Sequence, residues 1–153
     1  MAAQSEQILA MAANIFLEKI AFHKMLQLQL QHYSLDRVEL AIDMRPELMG
    51  NPHHQILHGG VTATLLDGAA GMTALAGIIN NHPELSAAEL ATRLSNLGTI
   101  DMRVDYLRPG RGNRFIATGQ VIRTGNKVAV IRSELHNEDG EHIAFGTCTY
   151  LVG

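Results

Sequence analysis

Residues 57–79 read LHGGVTATLLDGAAGMTALAGII, and Asp67 is the only Asp, Glu, Lys or Arg among them. A stretch this long and apolar suits a membrane span by length. An unpaired acid near the middle of a span, however, is unfavourable by at least ~2.5 kcal/mol on insertion scales. A helix that is apolar on every side is otherwise a helix buried in a protein core. We therefore expect a buried core helix over 61–79 and no membrane span.

The segments on either side of this helix alternate apolar and polar residues, which is typical of strands with one buried face. Six such strands are predicted, over residues 26–31, 37–44, 100–106, 115–123, 127–135 and 143–152. Short turns such as Pro109-Gly110 and Gly125-Asn126 favour antiparallel neighbours. The fold class is therefore α+β, with an antiparallel sheet of about six strands wrapped around the long helix.

Two further helices are predicted from the spacing of apolar residues. The first covers residues 5–22, and its apolar face consists of Ile8, Met11, Ala12, Ile15, Phe16 and Ile20. The second lies in the segment 81–97, where Ser86 and Glu89 have the spacing of a capping box at the helix start. This second helix is an insertion between the core helix and the third strand.

Composition limits the possible functions. A chain of 153 residues with 46% apolar residues is sufficient for one domain, which we expect to span 1–153. A single cysteine, Cys148, excludes a disulfide framework and a cysteine-built zinc site. The start of the sequence lacks the pattern of a secretory signal, so we expect a cytoplasmic protein. A net charge of −3 argues against a nucleic-acid partner.

The basic residues are concentrated in one part of the chain. Seven of the twelve lie between 103 and 132, and Asp105 is the only acid there. One interpretation is that they lie on solvated strand faces. The other is that they form a local binding site for an anionic ligand such as phosphate groups.

Asp67 is isolated in the sequence. It is the only acid in 48–83, and no Lys or Arg occurs in 46–92. A carboxylate on a buried helix without a cation nearby must find hydrogen bonds or become protonated. One interpretation is that it bonds Thr64, Thr99 or a buried water and has only a structural role. Alternatively it is a functional acid, as such groups often are.

The sequence His58-Gly59-Gly60 opens the core helix. Glycines allow a ligand to approach the backbone closely, and the first N–H groups of a helix bind negative charge. The motif is therefore a candidate oxyanion hole, although the glycines can also serve only the turn. Asp67 lies seven residues past Gly60, or ~10 Å along the helix, too far to reach a carbonyl bound at the same helix start. If both motifs act together, the site lies between two subunits of a homodimer.

Other kinds of site find little support. A metal site at His53, His54 and His58 is disfavoured by their irregular spacing and by the lack of a nearby Cys or carboxylate. The sequence also lacks a nucleophile elbow, a Walker loop and a dinucleotide fingerprint. We therefore predict no metal and no cofactor.

Two motifs carry a family resemblance. The first runs from Leu57-His58-Gly59-Gly60 to Leu66-Asp67, and the second is TIDMRVDYLRP, residues 99–109. Both resemble the signatures of PaaI-type hotdog-fold acyl-CoA thioesterases. The segments 125–130 and 149–152 resemble the YigI branch of that family. The resemblance implies a hotdog fold, in which two chains join edge to edge, often as a dimer of dimers.

The resemblance also implies roles for individual residues. Asp67 acts as nucleophile or general base, Thr99 helps to place a water molecule, and Gly59 donates its N–H to the thioester oxygen. His58 belongs to the same catalytic motif, and Gly60 to the substrate-binding residues. Coenzyme A is then part of the substrate rather than a cofactor.

The binding residues depart from the family pattern in two places. Asn51 precedes His58 by seven residues, whereas the family often has an Asn six residues before the His. The turn containing Asn126 and Lys127 stands where the family often has a Gly-Arg pair near coenzyme A. We expect Lys127 and Arg108 to contact the nucleotide phosphates. We expect Ala63 and Leu66, together with Ala70, to line a pocket for a medium- to long-chain aliphatic acyl group.

Two other functions stay open. A hotdog enoyl-CoA hydratase or dehydratase pairs a loop His with a helix acid, and His53 lies fourteen residues before Asp67. The Phe-Pro-rich loop that such enzymes usually carry is missing here. A non-catalytic acyl-CoA-binding protein is the other alternative.

Overall fold

The computed structural model describes residues 2–153, and its largest element is one six-stranded sheet. The strands are β1 (Gln29–Tyr33), β2 (Val38–Asp43), β3 (Gly98–Tyr106), β4 (Arg114–Thr124), β5 (Val128–Asn137) and β6 (His142–Leu151). Their order is β1-β2-β4-β5-β6-β3, and every pair is antiparallel. The third strand therefore lies at a sheet edge and pairs only with β6.

Four α-helices accompany the sheet: α1 (Ala2–Asn14), α2 (Ala21–Leu26), α3 (Gly59–Asn81) and α4 (Ala87–Asn96). A π-helical turn, Ile15–Lys19, follows α1, and a 3₁₀ turn, Pro46–Leu48, follows β2. The predicted capping box of α4 is confirmed, because Ser86 and Glu89 satisfy each other's backbone N–H groups. The order of elements agrees with the α+β prediction.

The long helix α3 forms the centre of the core. Fifteen of its residues are buried, and the sheet packs along it. By length and composition it could cross a membrane, yet 83% of its apolar 18-residue segment is buried inside the protein. The helix packs tightly against β4 at Gly119, where a Cβ atom would overlap the Thr73 hydroxyl. The prediction of a central core helix is therefore confirmed.

The predicted apolar face of the N-terminal helix was wrong in part. Ile8 and Ala12 are buried against α3 as expected, and Leu9 joins them. Met11 and Ile15 are instead 66% and 44% exposed. Met11 adjoins the buried Ala12 on the regular helix α1 and so points ~100° away from it. At Ile15 a π-helical turn begins, and its wider turn changes the angular position of the side chains.

The predicted start of the first strand was also wrong. Leu26 ends α2, and Gln27 closes that helix in the left-handed conformation, with φ of 58°. The strand begins only at Gln29. The alternation of leucines and glutamines over 26–31 spans both elements. Leu26 is buried at the end of the helix and Leu28 just before the strand, so the two elements continue one pattern.

The edge strand β3 differs from its predicted pattern. Met102 and Val104 are half-buried, but Ile100 and Tyr106, expected on the same inner face, are 57% and 55% exposed. The register with β6 shifts between Thr99 and Asp101, so Ile100 has no partner across the ladder. Such a bulge is common at sheet edges. It leaves apolar surface on the unpaired edge of the sheet.

Candidate active site

The carboxylate of Asp67 lies in the third turn of α3 and faces the start of β3. Thr99 donates a hydrogen bond from its Oγ1 to Asp67 Oδ1 at 2.9 Å. Thr64, the other predicted partner, donates instead to the Gly60 carbonyl oxygen at 2.9 Å. Among the described residues, no Lys or Arg forms an ion pair with Asp67. The acid is therefore held by hydrogen bonds rather than by a cation.

A second hydroxyl reaches the same carboxylate. The Tyr150 hydroxyl lies 2.5 Å from Asp67 Oδ1 and 2.5 Å from the Asp67 carbonyl oxygen, so its proton can be donated to either atom. Tyr150 is 3% exposed, and burial, followed by the charge of Asp67, raises the pKa of this phenol well above its usual range. The phenol therefore stays protonated and serves as a donor.

Tyr150 was not singled out from the sequence. The signal that identifies it is its position on the inner face of β6, because a buried tyrosine hydroxyl needs a hydrogen-bond partner. Two donors thus converge on Asp67 Oδ1, whereas Oδ2 accepts no hydrogen bond from any residue that the structure describes. Two hydroxyls therefore hold one carboxylate oxygen, whereas the other has no donor in the described part of the chain.

The helix start presents one free donor. His58 is the N-cap of α3, and its Nδ1 accepts the Gly60 N–H at 2.8 Å. The Gly60 N–H, predicted to bind substrate, is therefore already occupied by His58. The Gly59 N–H, in contrast, has no acceptor within residues 2–153. The Tyr106 hydroxyl donates to the Gly59 carbonyl oxygen at 2.7 Å and ties β3 to this end of the helix.

The helix start and the acid are far apart within one chain. Gly59 and Asp67 are separated by eight helical residues, or about 12 Å along the axis. Strand β3 runs beside this part of α3 in the opposite direction, so that Thr99 bonds Asp67 and Tyr106 bonds Gly59. One chain therefore contains two half-sites, which do not meet.

Two predicted binding residues lie near the Gly59 end. Arg108 lines a cavity of about 300 Å³ together with Gly59 and Tyr106, and its Nη1 donates to the His142 carbonyl oxygen at 2.7 Å. Asn51 lines a neighbouring cleft of about 540 Å³ with His58 and Gly59.

Two more of the predicted binding residues lie at the opposite end of the sheet. Asn126 and Lys127 form the turn between β4 and β5, and the Lys127 carbonyl oxygen accepts the Val152 N–H. Arg108 bonds the residue that begins β6, whereas Lys127 lies beside the end of that strand, about 30 Å away. Lys127 therefore lies at the same end of the fold as Asp67 and Thr99, whereas Arg108 lies at the other end.

Much of the basic stretch has structural partners. Arg114 pairs with Asp43, Arg103 with Asp105, and the Arg132 guanidinium stacks 3.6 Å above the Phe145 ring. These three side chains therefore have partners within the protein other than an anionic ligand.

The predicted acyl-pocket residues require a correction. Leu66 and Ala70 have no exposed surface, because both point from α3 into the sheet and belong to the core clusters. Neither therefore lines an open pocket in this structure. Ala63 keeps a partly exposed side chain one turn before Asp67.

Comparison with known proteins agrees with this architecture. Residues 54–144 match the family model described as the thioesterase superfamily. A Salmonella typhimurium protein named medium/long-chain acyl-CoA thioesterase YigI is 49% identical over 97% of this chain and 96% of its own length. A crystal structure of a Shewanella oneidensis protein, described as related to the thioesterase superfamily, covers both chains fully, with 55% identity and a TM-score of 0.97.

A more distant structure supports the fold alone. The PaaI protein of Escherichia coli is 20% identical, with a TM-score of 0.74 over 95% of this chain and 93% of its own. The chain therefore belongs to the thioesterase superfamily, and its fold is the hotdog arrangement that the sequence motifs implied. Within that family it is a thioester hydrolase of the YigI-like kind, as the resemblance predicted.

Proposed function

We propose that this protein hydrolyses the thioester of an acyl-coenzyme A to a free carboxylic acid and coenzyme A. The main support is the asymmetric binding of the Asp67 carboxylate, in which Thr99 and Tyr150 hold Oδ1 and Oδ2 has no hydrogen-bond donor among the described residues. Such immobilisation is what a nucleophile or a general base requires. The YigI relative is named a medium/long-chain acyl-CoA thioesterase, and we propose the same substrate class here.

The complete site is proposed to form between two chains. Strand β3 has one unpaired edge, and antiparallel pairing of two such edges about a central two-fold axis would bring the Thr99 end of one strand beside the Tyr106 end of the other. Within each chain, Thr99 bonds Asp67 and Tyr106 bonds Gly59. The pairing would therefore place Asp67 of one chain beside the helix start of the other. A homodimer or a dimer of dimers is therefore expected.

The reaction follows from these two half-sites. The thioester carbonyl oxygen accepts the Gly59 N–H, which stabilises the negative charge of the tetrahedral intermediate. Oδ2 of Asp67 either takes a proton from a water that attacks the carbonyl carbon or attacks that carbon itself and forms a mixed anhydride. Collapse of the intermediate breaks the carbon–sulfur bond, and the coenzyme A thiolate leaves and is protonated. In the second route, water then hydrolyses the anhydride.

The two ends of the substrate are assigned separately. Arg108, beside Gly59, and Lys127, on the Asp67 side, are proposed to contact the phosphates of the coenzyme from opposite chains. Asn51 and Asn126 are proposed to bind neighbouring polar groups. The acyl chain is proposed to be aliphatic and to pass Ala63, with no cofactor involved, in a cytoplasmic enzyme.

The decisive experiment is a panel of acyl-coenzyme A esters, from acetyl to palmitoyl plus phenylacetyl, with release of the thiol followed by a thiol reagent. We expect kcat/KM to rise with aliphatic chain length until the pocket is full, because each buried methylene contributes ~0.8 kcal/mol. Asp67→Asn should lower kcat by about 10²-fold or more.

Asp36→Asn is the matched control, since Asp36 is exposed in the turn between β1 and β2, at the sheet edge opposite β3, and should retain activity. A folded Asp67→Asn protein with near-normal turnover would refute the role of Asp67. Hydration of an enoyl-coenzyme A without thiol release would favour the hydratase instead. Tight binding of acyl-coenzyme A without any turnover would favour a binding protein.

A further inference from the structure

A cluster of three metal-ligating side chains lies on the sheet face turned away from α3. Glu134 and His136 alternate with buried residues on β5 and so share its outer face. His142 begins β6 and pairs directly with His136 across the ladder. One ligand atom from each of the three residues lies within 4.8 Å of the other two. The thioesterase mechanism uses none of these residues.

The backbone fixes this juxtaposition. Residues two apart on one strand point to the same face, and directly paired residues of antiparallel strands lie side by side. The His136 and His142 rings are 4.5 Å apart between centroids and nearly parallel, at 13°. The arrangement therefore brings two imidazoles and a carboxylate together from two adjacent strands, without any contribution from a long loop.

One atom of the cluster lacks a partner. Nε2 of His142 is buried and makes no hydrogen bond with any described residue. The Glu134 carboxylate lies nearby, with Oε2 at 4.0 Å. No Lys or Arg forms an ion pair with Glu134 among residues 2–153. A buried ring nitrogen without a partner is unfavourable, and a cation between these groups would satisfy it.

We propose that Glu134, His136 and His142 bind one divalent transition-metal ion of the Zn²⁺ type, with water completing the coordination. Two neutral imidazoles and one carboxylate are a donor set that suits Zn²⁺, and three protein ligands leave a fourth position open. Tetrahedral ligands at about 2.0–2.1 Å are separated by roughly 3.4 Å, so the side chains must close inward by rotation from their present spacing. The hard cations Ca²⁺ and Mg²⁺ prefer sites made only of oxygen and should bind poorly.

Binding at this position would have a local structural consequence. His136 and His142 flank the turn that joins β5 to β6, so a shared ion would clamp the end of that hairpin. The His142 carbonyl oxygen also accepts the Arg108 guanidinium. The ion would therefore stiffen the support of Arg108 without entering the proposed catalytic site. Since the metal proposal concerns binding alone, its test does not depend on the proposed thioesterase function.

The test is calorimetric titration of the chelator-treated, buffer-exchanged full-length protein with Zn²⁺ alone. We expect about one ion per chain with micromolar or tighter affinity. The Kd should be at least about tenfold higher in His142→Ala and in Glu134→Gln. Visible absorption of the Co²⁺-loaded protein provides a second readout and should disappear in His142→Ala. In thermal denaturation, added Zn²⁺ should raise the Tm of the wild type more than that of the variants.

Matched controls separate this cluster from other histidines. His32→Ala alters a histidine on β1 that bonds Ser34, and it should leave Zn²⁺ binding unchanged. The double variant His53→Ala/His54→Ala removes the exposed histidines of the loop before α3 and should also bind normally. Absence of saturable binding in the wild type would overturn the proposal. So would equal affinity in His142→Ala, or loss of binding only when His53 and His54 are replaced.

Discussion

The two ends of the contact between α3 and β3 present different chemical groups. At one end, Gly59 offers a backbone N–H at an exposed helix start, and Tyr106 holds it through the backbone carbonyl. At the other end, Asp67 is partly buried, and two side-chain hydroxyls hold its carboxylate.

The difference reflects what each group must do. A backbone N–H is directed by the helix itself, so a cap and one tether suffice to aim it. A carboxylate has rotatable bonds, and only side-chain hydrogen bonds can fix which oxygen faces the substrate. In our proposal, the sites for charge stabilisation and for attack are therefore built separately and completed by a second chain.

The largest effect is expected from removing the Gly59 N–H. Gly59→Pro deletes only this donor, because proline suits the first helical position and His58 already has the extended conformation required before proline. We expect kcat to fall by about 10²–10³-fold, the usual loss for an oxyanion donor. Gly59→Ala is the control, since it keeps the N–H and its Cβ would meet Tyr106 at an ordinary 3.4 Å.

The same variant tests whether the site is shared. A mixture of Gly59→Pro and Asp67→Asn proteins, after subunit exchange, should regain about a quarter of wild-type activity, because half the dimers are mixed and each contains one intact site. Activity that stays at the level of the separate variants, despite verified exchange, would contradict a site formed by two chains.

A smaller effect is expected at the acid end. Tyr150→Phe keeps the ring in the core and removes one donor to Oδ1. We expect kcat to fall about tenfold with little change in KM, because a hydrogen bond to a charged group contributes about 1.5–3 kcal/mol. Steady-state kinetics alongside Tyr33→Phe, which removes another hydroxyl that bonds α3, provides the comparison. Equal kcat values for Tyr150→Phe and wild type would show that Thr99 alone suffices.

A still smaller effect is expected from the basic residues. Lys127→Ala should raise KM about two- to fivefold at low salt and leave kcat nearly unchanged, because the phosphates do not change during the reaction. Arg108→Ala should behave similarly, since its cavity adjoins Gly59. Arg37→Ala, whose guanidinium pairs with Glu39 of β2 and lies away from β3, is the control. A KM independent of Lys127 and of salt would remove that residue from the site.

The smallest effect concerns Cys148, which has no exposed surface and lies in the core near the acid end. Burial raises the pKa of its thiol from 9.0 to about 11. The folded protein should therefore not react with thiol reagents at about pH 8, and the thiol assay should be free of background.

The same shift has a consequence for stability. Below about pH 9 the thiol is protonated in both folded and unfolded chains, whereas between about 9 and 11 only the unfolded chain loses the proton. The difference in unfolding free energy between wild type and Cys148→Ala should therefore shrink as the pH rises through this range. Denaturant titrations at both ends of the range measure it, and a constant difference would contradict the pKa shift.

Much of the architecture was predictable because it rests on local periodicity. The apolar run of α3, the alternation along β4 to β6 and the capping box at Ser86 each reflect which faces must be buried, and all were identified. The error at 26–28 arose because one pattern spans two elements, the error at Ile15 because a π-helical turn changes the phase, and the error at Met11 because the buried stripe of α1 is narrower than the apolar pattern. Ile100 is exposed because of a bulge at the sheet edge. The register of β3 against β6 creates that bulge, and the register is set by the tertiary structure.

The sequence by itself determined the central helix, the antiparallel sheet, the family and the isolation of Asp67, because charge and hydrophobic spacing are written in neighbouring residues. Only the tertiary structure decided that Tyr150 reaches Asp67, that His58 occupies the Gly60 N–H, and that Glu134, His136 and His142 converge. These contacts join residues from different strands and helices. Their distances depend on sheet register and helix docking, which no local pattern encodes.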